Sequence, residues 1–336
     1  WYTLVDMKKK AAEGTPLEGG LNALVHHLYQ GAHQWPMERF QETALEALRG
    51  VIPFDSAMWG RGSGVPNALL DVYLFRQPRT MMDEYLAEYQ ALDFLADAVR
   101  AKPGVSCNLA DLISREEFVS TSLYLGFARR WGIEQVLCTV LPDPVSSLYE
   151  VISLWRRNPK RPFSERERQL KECLMPHLVE SRRINRLFSL RQRQPQGGQN
   201  CALGLANDSG ILFDAEAGFY EVVRKEWPNW RGARLPSALV GTVGSPDGFV
   251  GKKAVLYASA LGDMILLKAR ALTAADRLGE REKAVATRYG RGETYREIAQ
   301  ALGIAESTAR NHLYRVFKKL RVRSKLGLAK VLDAAE

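Results

Sequence analysis

The 336 residues predict an α+β fold for most of the chain and an all-α module of closely spaced helices at its C-terminus. Three observations carry this reading. Short β-like runs alternate with helical patterns as far as residue 269, and beyond it apolar residues recur only at helical spacing. The segment Arg191-Gln-Arg-Gln-Pro-Gln-Gly-Gly-Gln-Asn200 has no periodicity and too little apolar content to fold, so it reads as a linker. The expected division is therefore 20–190, a linker at 191–200, a small α+β block at 201–269 and the helical module at 273–336. At about seventy residues, the middle block is marginal as an independent unit and is expected to lean on a neighbour.

In the first block, Pro36 to Leu48 has a helix-start proline and apolar residues at Phe40, Ala44, Leu45 and Leu48. Strands are expected at Ser56–Gly60 and Asp71–Phe75, then helices over Met81–Arg100 and Arg115–Trp131. The runs Gln135–Leu141 and Leu148–Arg156 read as a hairpin across Pro142-Asp143-Pro144. A long helix follows from Ser164 to Leu190, kinked at Pro176. Its Leu170, Leu174, His177, Ser181, Ile184 and Phe188 step by alternating fours and threes, the spacing of a dimer seam or of a helix packed on its own domain. Arg182, Arg183, Arg186, Arg191 and Arg193 suit the negative end of its dipole. The middle block opens with Ala202–Ala206, turns at Asn207-Asp-Ser-Gly210 and continues as Ile211–Phe213. Helical spacing then appears at Phe219, Val222 and Val223, and β-like runs at Ala254–Tyr257 and Met264–Leu267.

The C-terminal module has three helical segments, Glu280–Tyr289, Thr294–Leu302 and Ser307–Leu320. Thr294 is a candidate N-cap and Gly303 a candidate C-cap of the second. The third buries Ala309, Leu313, Val316, Phe317 and Leu320 and presents Ser307, Arg310, Asn311, Tyr314 and Lys318 on its other side. Two helices joined by Gly-Ile-Ala, the second polar and basic on one face, have the geometry of a helix-turn-helix. Charge points the same way. From Arg270 onward there are 15 Lys+Arg against 8 Asp+Glu, a surplus of +7 out of the chain's +9, and Arg310–Lys330 holds eight basic residues and no acid. A surplus confined in this way is the electrostatic footprint of a polyanion-binding surface.

Leu-Gly-Glu-Arg-Glu-Lys-Ala-Val (278–285), Tyr-Arg-Glu-Ile-Ala-Gln-Ala-Leu-Gly-Ile (295–304), Ser-Thr-Ala-Arg-Asn-His (307–312) and Lys-Lys-Leu-Arg-Val-Arg-Ser (318–324) resemble the four-helix LuxR-type DNA-binding domain. The resemblance implies a homodimeric transcription regulator. Its third helix would enter the major groove of double-stranded DNA and its last helix, around Lys325–Ala334, would serve dimerisation. The base-reading positions fall on Arg310, Asn311 and Tyr314. Departures are Gly279 for Thr, Ala305 for the Ser cap, Ala309 for Val, Tyr314 for Lys and Arg321 for Gly. Chemically, Arg310 can donate to guanine O6 and N7, and Asn311 can pair with adenine. Arg315, Lys318 and Lys319 can neutralise phosphates, with Thr294, Ser307, Thr308 and His312 completing the candidate interface.

Ile-Pro-Phe-Asp-Ser-Ala-Met-Trp (52–59), Val-Leu-Cys-Thr-Val-Leu-Pro-Asp-Pro (136–144) and the run from Ser147 into Pro162-Phe-Ser-Glu-Arg-Glu-Arg168 resemble a GAF-type sensor domain, and the middle block is similar to a reduced PAS-type domain. Such a domain implies a small-molecule effector. Candidate ligand residues are Trp59, Tyr73, Phe75, Tyr85, Tyr89, Asp93, Phe94 and Trp131, aromatics with polar handles suited to an apolar pocket, although core packing accounts equally for most of them. Tyr89 and Asp93 are similar to a pattern in acyl-homoserine-lactone receptors, but Phe94 stands where those have Pro and the upstream Trp is missing.

Other chemistry finds little footing. No cofactor is implied and no set of nucleophile, base and orienter stands out, so the chain is not expected to be an enzyme. Asp55 resembles a receiver phosphoacceptor but lacks the early acidic pair. Gly251-Lys252-Lys253 lacks the rest of a phosphate-binding loop. His26, His27 and His33 have no carboxylate partner for a metal. Cys107, Cys138, Cys173 and Cys201 form no Cys-x-x-Cys motif and are expected to be reduced, mostly buried thiols of a cytoplasmic protein. No apolar run approaches the roughly eighteen residues of a membrane span, and Lys8-Lys9-Lys10 is not followed by the apolar core of a leader peptide. The resulting expectation is a regulator whose operator binding responds to an effector. The alternatives are a ligand-independent regulator whose N-terminal blocks dimerise or recruit RNA polymerase, and an acyl-homoserine-lactone receptor.

Overall fold

A computed structural model describes residues 16–64, 67–143, 148–192, 201–232, 234–242, 245, 248–262 and 264–333. The chain divides into two compact units, Trp1–Arg193 and Gln194–Glu336. The architecture is α+β followed by an all-α helix-turn-helix region, as the hydrophobic periods predict. The segment 193–200 of the expected linker lies outside the described residues.

The first unit is built on an antiparallel sheet of β1 (Ser56–Gly64), β2 (Asn67–Phe75), β3 (Cys107–Asn108), β4 (Gln135–Pro142) and β5 (Leu148–Arg156), in the order β2-β1-β5-β4-β3. Both faces are covered, which explains why β4 and β5 read as almost continuous apolar runs. One face carries Ala57, Trp59, Leu137, Ile152 and Leu154 against the helices Pro16–Gln34, Phe40–Arg49 and Glu165–Gln192. The other carries Met58, Val136, Cys138, Val140, Val151 and Trp155 against the segment between β2 and β4.

That segment corrects the expectation of two unbroken helices. Over 79–101 the chain runs as an α-turn (Arg79–Glu84), a π-turn (Tyr85–Tyr89), a 3-10 turn (Gln90–Leu92) and a new helix, Phe94–Ala101. Asp93 makes the break, because its carboxylate caps the Leu95 and Ala96 amides at 3.0 and 3.2 Å. Over 115–131, Ser114 caps the helix Arg115–Ser120, Thr121 is extended (ψ 150°), and a second π-turn spans Tyr124–Ala128.

The long helix is continuous from Glu165 to Gln192 with Pro176 inside it. Its seam is occupied within the chain: His177 lies edge-on to Tyr29, Phe188 to His33, and Asn185 donates to the Ala32 and Trp35 carbonyls of the N-terminal helical segment. Its arginines are likewise engaged. Buried Arg182 pairs with Glu150 (2.9 Å) and Asp71 (2.6 Å), Arg186 with Asp71, and Arg183 with Glu180. Glu150 also accepts from Arg61 and from the Trp59 indole, so one buried carboxylate ties two strands to the helix.

In the second unit, β6 (Ala202–Asn207), β7 (Leu212–Ala215), β8 (Phe249–Val250), β9 (Ala254–Leu261) and β10 (Met264–Ala271) form an antiparallel sheet in the order β7-β6-β10-β9-β8. The helix Ala217–Glu226 crosses it with Phe219 against Gly204, where a Cβ would lie 3.0 Å from the ring. The Gly251-Lys252-Lys253 turn is an anion cradle already filled from within: the Lys252, Lys253 and Ala254 amides donate to the Glu226 carboxylate. Four helices follow, Glu280–Gly290, Tyr295–Leu302, Glu306–Leu320 and Lys325–Asp333. Their core is Val285, Ala286, Ile298, Ala309, Leu313, Val316 and Leu328. Arg270 at the end of β10 makes a two-pronged ion pair with Asp276 (2.7 and 2.7 Å), which also accepts from the Thr273 amide and hydroxyl just ahead of the first helix.

Candidate nucleic-acid interface and effector cavity

Local chemistry explains the C-terminal bundle well. Glu282 accepts the Gly279 amide at 3.0 Å at the start of the first helix. Thr294 and Glu297 form a reciprocal capping box on the second, and Gly303 closes it in the left-handed conformation (φ 63°). The third helix starts less favourably, since Ala305 offers no side-chain cap, and ends on Arg321 at φ 54°.

On that third helix, Ser307, Arg310, Asn311, Tyr314, Arg315 and Lys318 are all exposed, and their spacing of three and four residues lines them up on one face. Tyr314 is 71% exposed, far more than an aromatic needs for packing. Arg310 is held in place by Glu306 (2.8 Å) and lies over the Tyr295 ring at 5.1 Å. The remaining candidates sit apart from this stripe. Lys319 pairs with Glu282 at 2.6 Å and braces the third helix on the first, which holds the Glu282 carboxyl below its ordinary range. The hydroxyl of Thr294, though exposed, is occupied by its cap. Thr308 and His312 are half-buried, and His312 Nδ1 is buried without a hydrogen-bond partner.

The first unit encloses a cavity of about 130 Å³ on the face of the sheet away from the long helix. Of the eight aromatic and acidic candidates, Tyr85, Asp93 and Phe94 line it. Trp59, Tyr73 and Phe75 lie on the opposite face of the sheet, in the core with the helices. Tyr89 and Trp131 pack at the periphery of the cavity's apolar cluster, Trp131 donating to Glu84. The lining that sequence reasoning missed comes from the alternate positions of the same strands: Met58 rather than Trp59, then Val136, Cys138, Val140, Val151 and Trp155. The alternation within β4 and β5 was the available signal, but with both faces apolar it does not say which face encloses a space.

The wall is mostly apolar with a few oriented polar groups. The Tyr85 hydroxyl donates to Asp93 at 2.7 Å, and burial followed by that carboxylate pushes its pKa up. The Trp155 indole donates to Ser153, and Gln90, Arg100 and Tyr149 complete the polar lining. Two π-turns close the cavity's helical side, packed through Phe127 against Tyr85 and Tyr89 at 5.6 and 5.3 Å between ring centres. Gly126 permits this contact, because a Cβ there would lie 2.3 Å from the Tyr89 hydroxyl. Such π-turns are frequent at functional sites. Among the described residues no group of three or more His, Cys, Asp or Glu could hold a metal ion, and no helix is long and apolar enough to cross a membrane.

Comparison with known proteins locates one part of the chain. Residues 276–332 match the family described as bacterial regulatory proteins, luxR family. No curated protein matches the sequence. Among solved structures, the chain is similar to Escherichia coli SdiA, at 15% identity over 93% of this chain and 97% of that one, with a TM-score of 0.38. It is also similar to the N-acylhomoserine lactone dependent LuxR family factor CepR2 from Burkholderia cenocepacia (14% identity, 48% and 92% coverage, TM-score 0.37). A third is the phycoerythrobilin-bound GAF domain from a cyanobacterial phytochrome (10% identity, 50% and 96% coverage, TM-score 0.35).

Proposed function

Residues 276–332 are a helix-turn-helix domain of the luxR family, and from that premise we propose that the chain is a sequence-specific DNA-binding transcription regulator whose operator affinity is set by a small, largely apolar effector in the first unit. The observation that carries the reading is the exposed stripe Ser307-Arg310-Asn311-Tyr314-Lys318 on the second helix of a helix-turn-helix that otherwise buries its apolar positions. In this reading Arg310 and Asn311 face base edges, Tyr314 packs against the groove wall, and Arg315 and Lys318 contact phosphates. Lys319 is left as a brace. The protein acts as a homodimer, so the operator has two half-sites in register with the DNA helix.

Effector control is supported by the cavity, by its ring of few polar groups among many apolar ones, and by its closure with two π-turns. Selection from randomised duplexes with the full chain tests the first half of the proposal: enrichment of a motif with two related half-sites supports it, and retention without sequence preference refutes it. Calorimetry with a panel of small aromatics, fatty acids and acyl-homoserine lactones tests the second. A chain that binds its operator equally with and without every cavity-filling compound is the ligand-independent regulator instead.

A further inference from the structure

Two of the four cysteines, 31 positions apart in sequence, stand directly opposite one another: Cys107 of β3 is the ladder partner of Cys138 of β4. We propose that Cys107 and Cys138 are a redox pair that closes into an intramolecular cross-strand disulfide when the protein meets a hydroperoxide. The assignment stands on the thiols alone and is independent of DNA or effector binding.

Directly opposed residues of an antiparallel pair share a face, with Cα atoms about 4.5–5.5 Å apart, and a disulfide spans Cα separations of about 4.4–6.8 Å. The Cα separation of the pairing therefore falls within the span of a disulfide, and the Cβ atoms need only close by about 1 Å. Both side chains belong to the same apolar cluster on the cavity face, and both are free thiols. Their exposures differ in a useful way. Cys107 is partly buried at the sheet edge, while Cys138 is buried in the cavity wall.

This asymmetry orders the chemistry. The Cys107 thiol gives up its proton and its sulfur attacks one peroxide oxygen; the O–O bond breaks, releasing an alcohol (water from hydrogen peroxide) and leaving a sulfenic acid. The Cys138 sulfur then attacks the Cys107 sulfur, the S–O bond breaks, and the hydroxide leaves as water with the Cys138 proton. Two thiols are oxidised by two electrons in all, and one peroxide is reduced. Burial raises the pKa of both groups, that of Cys138 to about 11, with Asp111 adding to the effect at Cys107 against Lys102 and Arg168. The reaction is accordingly slow at neutral pH and quickens as the pH rises. Because β3 is only two residues long and runs directly into Leu109, a lining residue, the bond would pin one wall of the cavity.

The full chain is treated with hydrogen peroxide, alkylated under denaturing conditions with and without prior dithiothreitol, and mapped by peptide mass spectrometry. The expected result is a fall from four alkylatable thiols to two, a mass loss of two hydrogens, a link between the peptides carrying Cys107 and Cys138, and full recovery with dithiothreitol. Cys107→Ser and Cys138→Ser each abolish the link, and Cys173→Ser leaves it intact. A chain in which exposed Cys173 alone reacts overturns the proposal, as does one in which Cys107 gains oxygen while Cys138 stays alkylatable.

Discussion

Arg310 is anchored before any partner arrives, by the Glu306 carboxylate on one side and the Tyr295 ring on the other. Holding a long side chain in one orientation removes part of the entropy it would otherwise lose on binding. Arg310→Ala is expected to cost about 1–3 kcal/mol of operator affinity and to relax preference at one base pair. Lys318→Ala should weaken all duplexes alike and reduce the slope of log K against log salt by about one. Anisotropy titrations over a salt series separate the two, and identical, sequence-blind losses would remove Arg310 from the reading face. A second residue makes a prediction about pH. Lys171 is fully buried and donates to the Leu137 and Ile152 carbonyls and the Thr139 hydroxyl at 2.6–3.0 Å. Burial pushes its pKa down to about 7, against the pull of Cys138 and Glu172. The folded-state pKa is depressed, so the stability it contributes is present above the unfolded value near 10.5 and is lost as pH falls toward 7. Denaturant unfolding should show the wild type gaining on Lys171→Met between pH 7 and 10, by at most about 1.4 kcal/mol per pH unit. A difference that stays flat with pH would show that Lys171 keeps one protonation state throughout.

Among the elements of the C-terminal bundle, the third helix is less well terminated than the second. Its neighbour has a full capping box at Thr294 and a glycine in the left-handed position, whereas it has Ala305 and Arg321 at the equivalent ends. Ala305→Ser and Arg321→Gly are each expected to stabilise the bundle by about 1 kcal/mol, since one satisfies an orphan amide and the other relieves a left-handed Cβ. Thermal unfolding of the two variants checks this, and a melting temperature no higher in either would show that the ends are compensated by other contacts. Element boundaries were legible wherever the signal is local. Thr294, Gly303 and Glu282 terminate their helices as their residue types predict. Over 81–100 and 115–131, apolar spacing implies unbroken helices, but the capping carboxylate of Asp93 and the extended Thr121 divide them, and the two π-turns have no signature in a 3.6-residue pattern. The seam of the long helix had the spacing of a dimer contact, yet its partner is the chain's own helix Pro16–Gln34, because spacing shows which face is buried and not by what.

For the molecule as a whole, the proposed effector control is a coupling between two sites and must be reciprocal. If a cavity occupant changes operator affinity by some factor, saturating operator must change the occupant's affinity by the same factor, measurable by calorimetry with and without duplex. Ala128→Leu places extra volume at a buried lining position, and should lower occupant affinity at least tenfold while leaving DNA binding by the empty protein unchanged. Loss of DNA binding in that variant would mean that the cavity serves packing alone.

By itself the sequence determined the α+β and all-α parts, the helix-turn-helix and the polar, exposed stripe on its second helix, because helical period, caps and net charge are properties of residues within a few turns of one another. Only the tertiary structure decided which face of the first sheet encloses the cavity, that Trp59, Tyr73 and Phe75 lie in the opposite core, that Lys319 pairs with Glu282, and that Cys107 stands opposite Cys138. The physical reason is shared: each depends on the pairing of segments 30 or more residues apart, and a strand apolar on both faces carries no local mark of which side will face which partner.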